Sequence, residues 1–194
     1  MPPWQYRDKA GAGKRGACFK YSVMPLSEVK ALPVGQLADT DAVLFLWSTM
    51  PMLPNAFKVI EAWGCFKYKT VAFTWVKGIL VPFSGLNLAW GMGNWTRSNA
   101  EVCLLAVKGK PKRVSASVHS VIIRPRMGHS VKPPEVRDRI VKLCSDVPRI
   151  ELFARKRCEG WDSWGDEVDS DLRLLDGRRD GQDQTWERAR DEGC

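Results

Sequence analysis

The chain has 194 residues, 44% of them hydrophobic, and a net charge of +8. That is enough apolar material for one globular domain with its own core; no apolar run approaches the length of a membrane span, and the opening MPPWQYRDKAG lacks the apolar segment of an export signal. The charge is uneven: residues 170–194 carry five Arg against seven Asp and Glu, leaving residues 1–169 at +10, a balance that favours a polyanionic partner.

Pro2, Pro3 and Trp4 form a stiff, donor-poor stub that ends in an indole. Residues 5–25 are polar and rich in Gly, Lys and Arg, and read as a basic loop. Ser27 is placed to cap a short helix that Pro33 stops. The run DAVLFLW, residues 41–47, has the length and continuity of a strand covered on both faces. A helix is expected over 54–63, with Phe57, Ile60 and Trp63 at helical spacing and Gly64 at its end. A strand over 70–76 precedes a long glycine-containing loop through Gly93. Further strands are expected at 102–107, 121–123 and 150–153. Between the last two, residues 133–144 read as a helix with Pro at its start and Val136, Ile140 and Leu143 on one face. Strands alternating with helices argue an α/β domain with a largely parallel central sheet. Beyond about residue 168 the aliphatic and aromatic content collapses, and 169–194 read as a polar, disordered tail.

Six cysteines are scattered without a Cys-x-x-Cys pair, and neither histidine joins them. The pattern disfavours a zinc site or a secreted disulfide framework and points to a reducing cytoplasm; no metal is expected.

Four stretches carry the functional signal. They are PPW at 2–4; GNWTRSNAE at 93–101, followed by VKGKP at 107–111; HSVKPPE at 129–135; and ELFAR at 151–155, with Gly160-Trp161 and Gly165-Asp166-Glu167 after it. In this order they resemble the N(6)-adenine methyltransferases named after the messenger-RNA adenosine methyltransferase catalytic subunit, above all the short bacterial and phage members. The resemblance covers residues 1–168. It implies a Rossmann-like class I methyltransferase fold with permuted motif order. An Asp-Pro-Pro-Trp site comes first in such a chain, and the cofactor strand comes near the C-terminus.

The resemblance further implies S-adenosylmethionine as cofactor and methyl transfer to the 6-amino group of adenine in nucleic acid, with DNA favoured over RNA. Pro2, Pro3 and Trp4 fall on its catalytic positions, where Trp4 would stack on a base turned out of its helix and the Pro2 carbonyl would accept from the amine. Lys132, Glu151, Phe153, Arg155, Asp166 and Glu167 fall on cofactor positions, with Lys132 facing the cofactor carboxylate. Asn94, Trp95, Arg97, Asn99 and Glu101 fall on the substrate side, with Glu101 as a buttress. A homo- or heterodimer is compatible with the family.

Plainer readings stand beside these. Trp4 suits a packed lid, Trp95 suits core packing, and Lys132 suits a solvated surface. The basic runs at 7–15 and 108–113 suit either substrate phosphates or a solvated face. The chain also departs from the motif. Met1 stands where the family has aspartate, which removes a hydrogen-bond acceptor, and the strand leading into it is missing. Residues 1–168 therefore read as a methyltransferase-like domain shortened at its N-terminus. Asp166 stands where Asn is usual. These departures keep a second class open, a catalytically inactive family member that binds nucleic acid or a partner as a scaffold.

Overall fold

A computed structural model describes residues 1–6, 22–91, 93, 95–128, 130–174 and 186–188. The central sheet is built from β1 (Ala42–Thr49), β2 (Lys67–Val81), β3 (Gly85–Leu88), β4 (Ala100–Lys108) and β5 (Val121–Arg124). Its order is β1-β4-β2-β3, with β5 also on β2. β4 lies antiparallel between β1 and β2, β3 folds back on β2 as a hairpin, and β5 runs parallel to β2. β1, β2 and β5 therefore share one direction, as an α/β sheet requires. Most of the hydrogen-bonded pairings are nevertheless antiparallel, because the chain re-enters from β3 to β4 through a loop and not through a crossover helix.

β1 shows why the sheet is covered on both sides. Successive side chains point to opposite faces, so Leu44 and Leu46 join one cluster while Phe45 and Trp47 join the other. The first face is covered by α1 (Leu26–Ala31), α2 (Val34–Leu37) and α3 (Leu53–Ala62). The second is covered by α4 (Glu135–Cys144) through Val136 and Ile140. Helices on both faces of one sheet make a three-layer α/β/α domain, the expected Rossmann-like class.

Helix ends follow local chemistry. α3 stops where Gly64 takes φ 75°, a conformation glycine adopts at no steric cost. The Trp63 indole N–H then donates to the Val29 carbonyl at 2.9 Å, tying α3 to α1. α1 differs from expectation. It starts after Pro25, whose carbonyl accepts from Glu28 and Val29, and Ser27 lies inside the first turn with no capping bond. The loop expected after Val76 is also shorter than the sequence suggests, because β2 runs on to Val81 and turns into β3.

β6 (Ile150–Leu152) pairs in parallel with β7 (Asp162–Trp164). The packed body continues past the expected boundary at 168. Asp171 exchanges two backbone or side-chain hydrogen bonds with Ser163 and pairs with Arg157, and Leu172 is buried. These contacts lead into β8 (Leu172–Leu174), antiparallel to β9 (Trp186–Arg188). The rest of the expected tail lies outside the described residues.

Candidate active site

The carboxyl ends of β1, β2 and β5 and the amino end of β4 meet at one edge of the sheet, the edge where open α/β sheets hold ligands. Register puts Thr49, Glu101 and Trp75 side by side across β1, β4 and β2. Glu101 is 7% exposed. Its Oε1 accepts from Lys77 Nζ at 2.6 Å and its Oε2 from Lys132 Nζ at 2.6 Å. Lys77 comes from β2, and Lys132 from the loop that enters α4. The Lys132 ammonium also stands 5.6 Å from the Trp47 ring and 5.9 Å from Trp75, and Lys77 stands 5.0 Å from Trp75. The rings offer their negative faces to the cations.

Burial alone would push the Glu101 carboxyl up, but the Lys132 and Lys77 ammonium groups hold it below its ordinary value. Burial pulls Lys132 down, against the attraction of Glu101. Two ammonium groups on one carboxylate leave the cluster with a single positive charge in excess. Close by, the Met1 α-amine feels Lys132, Glu151, Cys103 and Glu101, and burial lowers its pKa to about 6. The Cys103 thiol is pushed up to about 12 by burial, which removes it as a nucleophile.

β6 brings the second group of expected residues. Glu151 Oε2 accepts from Arg137 Nε at 2.9 Å and Nη2 at 2.6 Å, so α4 anchors the strand end. Phe153 takes φ 60° and sets its ring edge-on to Trp164 at 5.4 Å. A positive φ is costly for a bulky residue, and here it turns the chain out of β6. Arg155 Nε donates to Glu167 Oε1 at 2.7 Å, closing the segment between β6 and the turn at Gly165. At Gly165 an added Cβ would stand 2.3 Å from the Ala154 carbonyl oxygen, so only glycine lets the turn approach this closely. Asp166 sits exposed in that turn.

The N-terminal stub is arranged differently from expectation. Trp4 is 1% exposed and belongs to the core cluster with Val29, Leu46 and Val59. The Pro2 carbonyl accepts from Trp4 N–H at 2.9 Å, and the Pro3 carbonyl from Met24 N–H at 2.9 Å. Burial in the core covers the ring faces expected to stack on a base, and the carbonyl expected to meet the amine accepts instead from Trp4 N–H. Trp4 Nε1 is buried without a hydrogen-bond partner. Met1 packs against both core clusters, so the first residue lies where the two faces meet.

The loop from β3 to β4 carries the open aromatic surface. Trp95 is 99% exposed and Trp90 76% exposed, so the core role that suits Trp95 on composition is not what it does. Arg97 Cζ stands 4.6 Å from the Trp90 ring centroid. The Asn99 carbonyl accepts from Lys77 N–H at 2.7 Å, which ties this loop to β2 beside the cation cluster. Lys77, Ala89, Gly91, Ser98 and Arg126 line a cavity of about 240 Å³ there. Asn94 and the basic run at 7–15 lie outside the described residues. The other basic run, 108–113, begins at the far end of β4, about 23 Å of strand from Glu101. There Lys108 Nζ donates to the Ala38 carbonyl at 2.7 Å, so a place for it beside substrate phosphates at this site is not supported.

Sequence reasoning missed Lys77, Trp47, Trp75, Trp90 and Arg137. A lysine ending an apolar strand is the one local signal that marks Lys77; its partner lies 24 residues away on another strand. Among the described residues no group of three His, Cys, Asp or Glu side chains could hold a metal ion, and no helix is long and apolar enough to cross a membrane.

The sheet and its two helical layers make a Rossmann-like domain, with the cation cluster at its strand ends. A model of the MT-A70 family matches residues 1–167, and the chain belongs to that family. It is 35% identical to the Type II methyltransferase M.MunI of a Mycoplasma species over 185 residues, covering 86% of this chain and 75% of that protein. It is 28% identical to the N(6)-adenosine-methyltransferase MT-A70-like protein of Drosophila melanogaster over 179 residues. It is 26% identical to the N(6)-adenosine-methyltransferase catalytic subunit METTL3 of Homo sapiens over 178 residues. Those two alignments cover 90% of this chain but 27% and 28% of the relatives, so the chain spans little more than a quarter of their length. The family expected from the four motifs is the family found.

Proposed function

We propose that the chain transfers a methyl group from S-adenosylmethionine to the 6-amino group of adenine in nucleic acid, with DNA as the polymer. The observation that carries this reading is the Lys77–Glu101–Lys132 cluster at the carboxyl ends of the sheet, in a chain of the MT-A70 family. DNA is favoured over RNA because identity to the Type II methyltransferase is higher than to the N(6)-adenosine enzymes, 35% against 26–28%.

The residues present fit the cofactor. An excess positive charge walled by Trp47 and Trp75 suits a carboxylate, and Lys132 would hold it. Phe153 and Trp164 offer an apolar face for a purine, while Arg155, Asp166 and Glu167 supply polar groups for ribose hydroxyls. When bound, S-adenosylmethionine supplies an electrophilic methyl on its sulfonium. On the substrate side, Trp95 and Trp90 offer stacking faces for unpaired bases, and Arg97 and Asn99 stand beside them. Glu101 orients Lys132 and keeps it charged. The unpaired thiols of Cys65, Cys103, Cys144 and Cys158 suit a reducing cytoplasm.

The closed stub favours a second reading. With Trp4 in the core and the Pro2 carbonyl occupied, the domain can hold cofactor and nucleic acid without transferring a methyl group, as a scaffold. Incubation with S-adenosylmethionine labelled in its methyl group separates the two. Label entering adenine oligonucleotides, and not a cytosine-only control, supports the enzyme. Cofactor binding without label in any oligonucleotide supports the scaffold.

A further inference from the structure

We propose that Lys77 is a positioning residue which, by occupying one oxygen of Glu101, keeps Lys132 available to an incoming anionic group. The inference rests on reading this cluster as the place where the ligand's anion is held.

Glu101 has two oxygens and each receives one ammonium, at 2.6 Å in both cases. The three side chains are 9–16% exposed, too little for water to neutralise what the protein leaves uncompensated. Buried ions are tolerated when paired, and one carboxylate cannot pair two ammonium groups fully. The cluster therefore carries a standing demand for one more negative charge. Remove Lys77 and the demand disappears: both Glu101 oxygens are then free to turn to Lys132, and the pair closes as neutral.

The backbone holds Lys77 in this place. Its N–H donates to the Asn99 carbonyl at 2.7 Å, and its own carbonyl accepts from Ala89 N–H at 2.7 Å. It sits where β2 stops pairing with β4 and starts pairing with β3, and it is opposite Arg124 of β5. Held by these backbone bonds, Lys77 places its ammonium 5.0 Å from the Trp75 ring centroid and 2.6 Å from Glu101 Oε1.

The anion has two candidate sources, the carboxylate of the cofactor's amino acid end and a phosphate of the nucleic acid, since Lys77 also lines the cavity shared with Ser98 and Arg126. Calorimetric titration of the full chain distinguishes them. The probes are S-adenosylhomocysteine, 5′-methylthioadenosine (which lacks the amino acid end) and a short oligonucleotide. The proteins are wild type, Lys77→Met and Lys77→Arg. Lys77→Met is expected to weaken S-adenosylhomocysteine at least tenfold while leaving 5′-methylthioadenosine within twofold, and Lys77→Arg is expected to restore most of the loss. A tenfold loss confined to the oligonucleotide supports the same role with phosphate as the anion. Equal losses for S-adenosylhomocysteine and 5′-methylthioadenosine, or no loss for any probe, would overturn it. A merely structural lysine would shift the melting temperature without separating the two adenosine ligands. Should wild type bind neither adenosine compound, the cofactor reading fails, while the oligonucleotide arm still decides the role of Lys77.

Discussion

Lys132 and Glu101 lie 31 residues apart and meet at 2.6 Å, one carried by the loop into α4 and the other by the antiparallel strand of the central sheet. The pair fastens the helical layer to the sheet at the edge where the ligand is expected. Glu101→Ala would leave two buried ammonium groups facing each other, and the expected cost is about 3–5 kcal/mol, read from urea unfolding. The pH dependence has a definite sign. The folded carboxyl titrates below its ordinary value, so its stabilisation is complete above the unfolded value of about 4.3 and is lost as pH falls through the lower, folded value. Glu101→Gln should flatten that acid limb.

The Met1 amine gives a signature of the same sign in a separate, higher pH window. Its pKa of about 6 in the folded chain lies below the ordinary 8.0, so the unfolded chain binds the proton more readily. Stability of the 194-residue polypeptide should therefore rise from pH 6 to pH 8, by about 2–3 kcal/mol in all. Acetylation of the amine removes the titrating group. Unfolding of the acetylated chain, compared across the same pH range, isolates this contribution.

Trp4 is expected to act through stability. Trp4→Ala should cost about 3–5 kcal/mol, as for other large buried aromatics. Trp4→Phe discards an indole N–H that has no partner in the core and should cost clearly less. Urea unfolding of the two variants checks the order. A Trp4→Ala protein of unchanged stability that no longer binds oligonucleotide would return this residue to the base pocket.

Much of the architecture is legible in the chain because its causes are local. The apolar run at 41–47 becomes β1, Gly64 ends α3 with a positive φ, and Val136 and Ile140 bury the face of α4 that their spacing marks. What depends on distant partners is not legible. The sheet reads as parallel from strands and helices alternating in sequence, yet β4 arrives by a loop and inserts antiparallel. Lys77 looks like the polar end of a strand until register places Glu101 beside it. Trp4 and Trp95 exchange their expected settings. Composition alone puts an indole in the core, but Trp95 stands on the loop before β4, 99% exposed.

The exposed indoles should serve binding and not folding. Trp95→Ala and Trp90→Ala are each expected to weaken a single-stranded oligonucleotide about 5- to 100-fold, the range for loss of one base–aromatic stack. The melting temperature should stay within a degree or two, because both rings are already in water. Fluorescence anisotropy of a labelled oligonucleotide reads the affinity, and quenching of the remaining indoles reports the stacking.

The most direct test of the account is methyl incorporation by the full chain, with labelled S-adenosylmethionine and matched oligonucleotides that contain or lack adenine. The account predicts label in adenine-containing DNA alone, strongly reduced by Lys132→Ala under conditions where that variant is folded. Label in cytosine-only DNA, or undiminished transfer by Lys132→Ala, would contradict it.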